Sequence, residues 1–371
     1  MGAENTQPEG PFKAEDLVAL KHAGALQGLL GRLHQDHAHP NRILHYDQYL
    51  SLLLLYFFNP VVTSLRGIQF ASQLERVQKQ LGVERASLGS LSEAAQVFDP
   101  DLAKGVFESL AAQACALDAP APLTGLPEGL AITAVEGSLL DALPKMLWAL
   151  WLGPSEHAVK LHLQLEVTRG VPVQAEVTEG NGNEREVLKE HLRAGCVYLL
   201  DRGYVDYDLY SAILQAGSSF VARLRGAADY EVLETRPLTA DARAAGVEVD
   251  QIVWLGGEKS GRRIPQPLRI LKIHVKNQAA QGLKPRLARV NHKELFFRWF
   301  KCVLGCKHLL AESENGVRIE LYAALIASLL IVLWTGRKPT KRTLEMLQYG
   351  FVGMASLAEV EAHIAGLKMV K

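Results

Sequence analysis

The sequence predicts an α/β protein: a mixed sheet flanked by helices, with a helical N-terminal domain before it and a β-rich insertion within it. Three observations carry this. Residues 16–117 place apolar side chains at spacings of three and four, the helical period. From residue 130, short apolar or alternating runs end in turn signals or pass into helical patterns. Residues 229–285 alternate again but are polar and rich in Gly and Pro. A chain of 371 residues can bury a sizeable core and make two or three domains.

Residues 1–15 read as a disordered tail. In the N-terminal domain, LVALKHAGALQGLLGRLHQ and VVTSLRGIQFASQLERVQKQLG are amphipathic, the second stopped by Gly82. LSEAAQVFDPDLAKGVFESLAAQ follows, with Ser92 as its expected cap. DAPAPLTGLPEG, about 118–129, is a Pro/Gly linker. The first part of the core spans 130–228 and opens with GLAITAVEGS, a strand expected to end at Glu136. AVKLHLQLEVTRGVPVQAEVTEG has period two and breaks at Thr168-Arg169-Gly170, a hairpin. NGNEREVLKEHLRAG is a helix capped by Asn183, with Glu186 three residues on and Gly195 as its stop. CVYLLDRGY is a short buried strand ending in an acid; a helix, YDLYSAILQAGS, and a strand, SFVARLR, follow. After the insertion at 229–285, a helical part of the core (286–340) and a helical tail (341–371) complete the chain.

Forty basic and forty acidic residues cancel, so any nucleic-acid site must come from local clustering. Four cysteines are too few for a disulfide framework and suit a reducing compartment. The runs YLSLLLLYFFNPVV and LYAALIASLLIVLW fall short of the roughly 20 residues of a membrane span and read as buried core helices. No membrane partner is expected.

Glu136 and Asp201 each follow an apolar strand. Carboxylates at neighbouring strand ends repel unless a cation lies between them. A hard divalent ion such as Mg²⁺ fits such oxygen donors, although a solvated acid at a strand end explains either residue alone. Glu294 and Lys301, seven apart in KELFFRWFKCVLGCKHLL, share one helical face, with Arg298 near it. That face could ligate a metal and hold phosphates, or be a solvated salt-bridge face.

VEGSLL, LLDRGY, AGSSFVARLR, ELFFRWFKCVLGCKHLL and WTGRKPT resemble a bacterial DDE insertion-sequence transposase of the IS-four family, from about residue 45 to the end. The resemblance implies an RNase H-like core with the β-rich insertion before the third acid. It implies Glu136, Asp201 and Glu294 as three catalytic, metal-binding acids for two Mg²⁺ ions, with Mn²⁺ a substitute. The activity implied is metal-dependent endonuclease and strand transfer. The partners implied are double-stranded DNA (terminal inverted repeats and target) and a second copy in a homodimer, in the bacterial cytoplasm at the nucleoid. Lys301 matches the lysine of the family's Tyr-x2-Arg-x3-Glu-x6-Lys signature and, with Arg298, Arg202 and Tyr204, is a DNA-contact candidate. Arg66, Arg76, Lys79 and Arg85 are further phosphate candidates in the N-terminal helices.

Two departures stand out. The first acid is Glu136 where the family has Asp, and Leu287 and Val290 stand where the signature has Tyr and Arg. Arg286 and Arg289 are one residue off, a turn of about 100° on a helix. The extra methylene moves a carboxylate by more than an ångström, against a tolerance of about 0.5 Å for a working site. A remnant that binds DNA without cutting it is therefore the alternative. Asp141, expected beyond the strand end, is a poor substitute acid. A host RNase H-like nuclease is a third reading, against which the insertion and WTGRKPT argue. Cys302, Cys306 and His308 read as core, EGNGNE as a turn and helix cap, and GRKPTKR as a DNA-backbone contact or a plain helix start. Trp254 reads as core or as an aromatic presented to a flipped base.

Overall fold

The computed structural model describes residues 23–37, 42–117, 131–153, 156–224, 226, 228–257, 262–274, 296, 299–300, 304 and 309–369. The expected tail 1–15, the linker 118–129, and Leu287, Val290, Cys302, Cys306 and His308 lie outside these residues. In chain order the elements are α1 (Ala23–His37), α2 (Tyr46–Phe58), α3 (Leu65–Ser72), α4 (Glu75–Leu81), α5 (Leu88–Val97) and α6 (Pro100–Cys115). Then come β1 (Ala131–Asp141), β2 (Leu150–Gly153), β3 (Glu156–Glu166), β4 (Val171–Glu179), α7 (Glu184–Glu190), β5 (Cys196–Leu200), α8 (Tyr207–Gln215) and β6 (Ser219–Ala222). The insertion holds β7 (Tyr230–Thr235), α9 (Ala240–Ala244), β8 (Val247–Gly257), β9 (Arg262–Arg263) and β10 (Leu268–Ile273). The chain closes with α10 (Glu314–Thr335), α11 (Lys341–Phe351) and α12 (Leu357–Met369).

The mixed sheet flanked by helices is present. Its path runs β2–β3–β1–β5–β6, with β4 also paired to β3. β1, β5 and β6 are parallel, from Ala131↔Cys196 to Ala134↔Leu199 and from Val197↔Ser219 to Leu200↔Ala222. β3 and β4 form the expected antiparallel hairpin, and Gly170 takes the left-handed φ of 67° that its turn requires. Parallel strands inside a partly antiparallel sheet are what the RNase H-like expectation requires. The insertion is a second sheet, β10–β8–β7 with β9 on β8. One feature there was not expected: the short helix α9, capped by Thr239, whose Oγ1 accepts from Ala242 N at 3.1 Å.

Two compact units divide the chain: Met1–Thr124, Glu136–Gly182 and Lys293–Lys371 in one, and Gly125–Val135 with Asn183–His292 in the other. The first is built on α10, whose residues Leu321–Ala327 are 0% exposed, together with α2, α6 and the Leu161, Leu163, Leu165 face of β3. By length and composition α10 could cross a membrane, but 89% of its apolar stretch is buried here in protein. The second unit packs Val135, Tyr198, Leu200, Tyr204, Leu209 and Ile213 together.

Four local expectations change. The stretch 61–82 is two helices, not one. Ser72 Oγ donates to Gln69 O (2.7 Å) and accepts from Ala86 N (3.1 Å), and α3 ends there. Such side-chain bonds compete with the helical ladder. Gly82 does end α4, with φ 63°. The stretch 91–113 also breaks, because Pro100 lacks an N–H and forces the preceding residue out of the helical region. The caps are Ser87, accepting from Ser90 N at 2.9 Å, and Asp99; Ser92 lies inside α5. α7 stops at Glu190 rather than running to Gly195. The Arg193 backbone is taken by side chains instead: its N–H donates to Tyr198 Oη at 2.8 Å and its carbonyl accepts from Ser218 Oγ at 2.6 Å. Finally, β1 continues through Glu136 to Asp141, so Asp141 is its last residue and not beyond it.

Candidate active site

Asp201 follows the last residue of β5 and caps a one-turn 3₁₀ helix, Arg202–Tyr204. Its Oδ1 accepts from Gly203 N at 2.8 Å. A Cβ on Gly203 would lie 3.2 Å from that oxygen, so glycine lets the turn fold tightly onto the carboxylate. Asp201 is exposed, and its Oδ2 has no hydrogen-bond partner among the described residues. Beyond the turn, Asp206 Oδ1 accepts from Leu209 N at 2.8 Å and caps α8, while Arg185 lies 3.4 Å from Asp206 Oδ2. Asp201 therefore sits between a paired strand and a capped helix, with little freedom to drift.

The neighbours of Asp201 differ from one another. Arg202 is exposed, as a phosphate contact must be. Tyr204 is 2% exposed and packs in the core of its unit beside Leu200 and Leu209, so its ring supports the turn rather than facing solvent. The sequence offered no way to separate them, since both follow the acid in an unpatterned turn.

Glu136 is half-buried within β1. It stands two residues beyond Ala134, where the β1–β5 ladder ends. Within the second unit, Val135 and Leu200, the residues just before the two acids, both pack into the same apolar cluster. Side chains alternate along a strand, so the residue after each leaves that cluster.

Glu294, Arg298 and Lys301 lie outside the described residues. Phe296, Trp299, Phe300 and Leu304, among and just after them, are 0–7% exposed and belong to the core around α10. Among the described residues no three His, Cys, Asp or Glu side chains converge as a metal-binding group. The donor chemistry of Asp201 fits a hard cation: it is an exposed carboxylate whose Oδ2 has no hydrogen-bond partner among the described residues.

Elsewhere, Trp254 is half-buried on β8 opposite Glu231. Arg269 donates to both oxygens of Asp250, at 2.8 and 2.7 Å, and holds that carboxyl below its ordinary range. One acid escaped the sequence reading. Glu320 lies on α10 immediately before the run LYAALIASLLIVLW, is 2% exposed, and accepts backbone N–H bonds from Leu310 and Ala311. An acid flanked by Ile319 and Leu321 at the edge of an apolar helix was the available signal.

With this geometry in hand, the relatives fall into one class. Residues 152–330 match the family described as the transposase DDE domain. That match includes Asp201 and Glu294 and begins after Glu136. A putative transposase, y4zB, of Sinorhizobium fredii is 25% identical over 190 residues, covering 47% of this chain and 52% of that protein. A putative transposase for insertion sequence element IS4SA, from Synechocystis, is 22% identical over 231 residues, 59% of this chain and 65% of that one. The chain thus spans about half to two thirds of the length of the curated relatives it matches. A piggyBac transposase synaptic complex with hairpin DNA aligns at 10% identity and TM-score 0.34, over 96% of this chain and 87% of that one. That structure is too distant to bear on this one. Over residues 152–330 the chain is thus similar to the DDE transposase domain, and its curated relatives are putative transposases.

Proposed function

We propose that this protein cuts the ends of its own insertion sequence and joins them to target DNA by phosphodiester hydrolysis and transesterification, as a homodimer on the DNA. Glu136, Asp201 and Glu294 are its acids. The observation that carries the reading is Asp201, an exposed carboxylate held at the end of β5 by the Gly203 N–H at 2.8 Å, within the stretch that matches the transposase DDE domain. The similarity of residues 152–330 to the transposase DDE domain supports it. Mg²⁺, or Mn²⁺ in its place, would be held by the three carboxylates and would supply Lewis-acid activation of the attacking oxygen.

The side chains do the remaining work. The capped turn fixes Asp201 with one oxygen outward, and Arg202 beside it offers a cation to a phosphate. On an ideal helix, Glu294, Arg298 and Lys301 fall within about 60° of one another. Phe296, Trp299 and Phe300 are buried, and we propose that the charged face meets DNA. Such contacts release counterions, so binding must weaken steeply with salt. The test is end cleavage in Mn²⁺ by Asp201→Asn and Glu294→Gln. Loss of cutting with retained end binding supports the reading; cutting undiminished in both variants rejects the assignment.

A specific observation favours a second reading, a protein that binds element ends without cutting. Glu136 lies inside a strand that continues five residues further, to Asp141. Its backbone is therefore less free to retreat and accommodate the extra methylene. The same assay separates the two readings, because the second expects end binding with no product.

A further inference from the structure

We infer that Glu320 is a positioning residue: it latches residues 309–313, the strap between the segment carrying the third acid and α10, and the latch loosens as Glu320 ionises. The inference rests on Glu294 being that acid. The strap is the first described chain after Leu304, and it is tied to α10 at two points. Glu320 Oε2 accepts from Leu310 N at 2.9 Å and from Ala311 N at 3.3 Å. At the other end, Ser313 Oγ accepts from Gly316 N at 3.2 Å and donates to Ala95 O at 2.6 Å. Trp148 Nε1 adds a bond to Glu312 O at 2.9 Å. Among the described residues that hold the strap through its backbone, only Glu320 carries an ionisable side chain. It is also the one that grips two consecutive amides.

Glu320 lines a cleft of about 160 Å³ together with Tyr49, Leu53, Leu65, Ser92, Ala95, Gln96 and the strap itself. No cation lines it. Among the described residues its titratable neighbours are Tyr49 on α2 and Glu312 in the strap, the latter paired with Lys145; α3 and α5 present none. Arg318 and Tyr322, on the same helix, serve another cluster with Glu176 and Asp101. Burial pushes the Glu320 carboxyl up to about 8, against the partial opposition of the Leu310 and Ala311 amides. Opening the strap toward water would return it toward its ordinary value of 4.5. The open state then binds fewer protons than the closed one, so opening becomes easier as pH rises from about 4.5 to about 8. Phe296, Trp299, Phe300 and Leu304 pack in the same core as α10.

Hydrogen exchange on the full chain, followed by peptide mass spectrometry at pH 5, 6.5, 8 and 9.5 and corrected for intrinsic rates, tests this. In the parent, peptides covering 309–313 are expected to open more readily with pH, by up to tenfold per unit between about 5 and 8. Glu320→Gln is expected to remove that slope while leaving α12 peptides unchanged. A parent with no slope at 309–313 overturns the inference, and this arm needs no variant to fold. An equal slope in Glu320→Gln overturns it too. None of these readouts requires DNA cleavage, so a protein that fails to cut would sink the proposed function without deciding the latch.

Discussion

Replacing Gly316 with Ala tests the packing at the start of α10. In an exposed helix this change is favourable by about 1 kcal/mol, because glycine has more backbone freedom to lose. Here a Cβ would stand 2.6 Å from the Ala311 Cβ, 2.8 Å from the Ala95 Cβ and 2.9 Å from the Ala95 carbonyl oxygen. None of these is the far end of a flexible side chain, so relief needs backbone to move by most of an ångström. Such overpacking costs about 1–3 kcal/mol. Set against the propensity gain, the net loss should be up to about 2 kcal/mol. Urea unfolding followed by tryptophan fluorescence would measure it. Adding Ala95→Gly, which removes one obstructing methyl, should recover part of the loss. A Gly316→Ala protein more stable than the parent by the full propensity gain of about 1 kcal/mol would mean that α10, α5 and the strap are not packed as described.

Other consequences follow from the same structure. Glu320 titrates at about 8 when folded against an ordinary 4.5, so the unfolded chain releases this proton first, and the stability it affects falls as pH climbs through that window. The gap corresponds to at most about 5 kcal/mol. Glu320→Gln should flatten the fall in urea stability between pH 5 and 8.5, and an equally steep fall in the variant would contradict the sign. Leu325→Ala, at a position 0% exposed at the centre of α10, should cost about 2–5 kcal/mol in the same assay. Arg202→Ala should weaken end binding and make the log–log salt dependence shallower by about one, measured by titration at several salt concentrations. An unchanged slope would remove Arg202 from the phosphate contacts.

The sequence made the sheet legible because its strands announce themselves. AVKLHLQLEV and VPVQAEV alternate cleanly, Gly170 marks the turn between them, and CVYLL is short, apolar and β-branched. Helix ends were harder to read. Whether α3 passes into α4, or α7 reaches Gly195, depends on Ser72 bonding across to Ala86 and on Tyr198 and Ser218 claiming the Arg193 backbone. Those partners lie 5 to 25 residues away, beyond any local pattern. At the candidate site, Asp201 was visible as an acid ending an apolar strand, but the burial of Tyr204 beside an exposed Arg202 was not. The end of β1 was misjudged because Glu136-Gly137-Ser138 reads as a turn, whereas the strand carries it to Asp141. Glu320 was missed because the eye joins LYAALIASLLIVLW and leaves the acid before it outside.

Whether Glu136 works as the first acid is best decided by one measurement: Mn²⁺-dependent cleavage of DNA carrying the inverted repeats that flank this gene. Parent, Glu136→Asp and Asp201→Ala should be run together. Cutting at the repeat ends by the parent, abolished in Asp201→Ala, is the expected result. No cutting by the parent with product from Glu136→Asp would keep the site but deny the natural protein its activity. Equal cutting by parent and Asp201→Ala would contradict the assignment of the site itself.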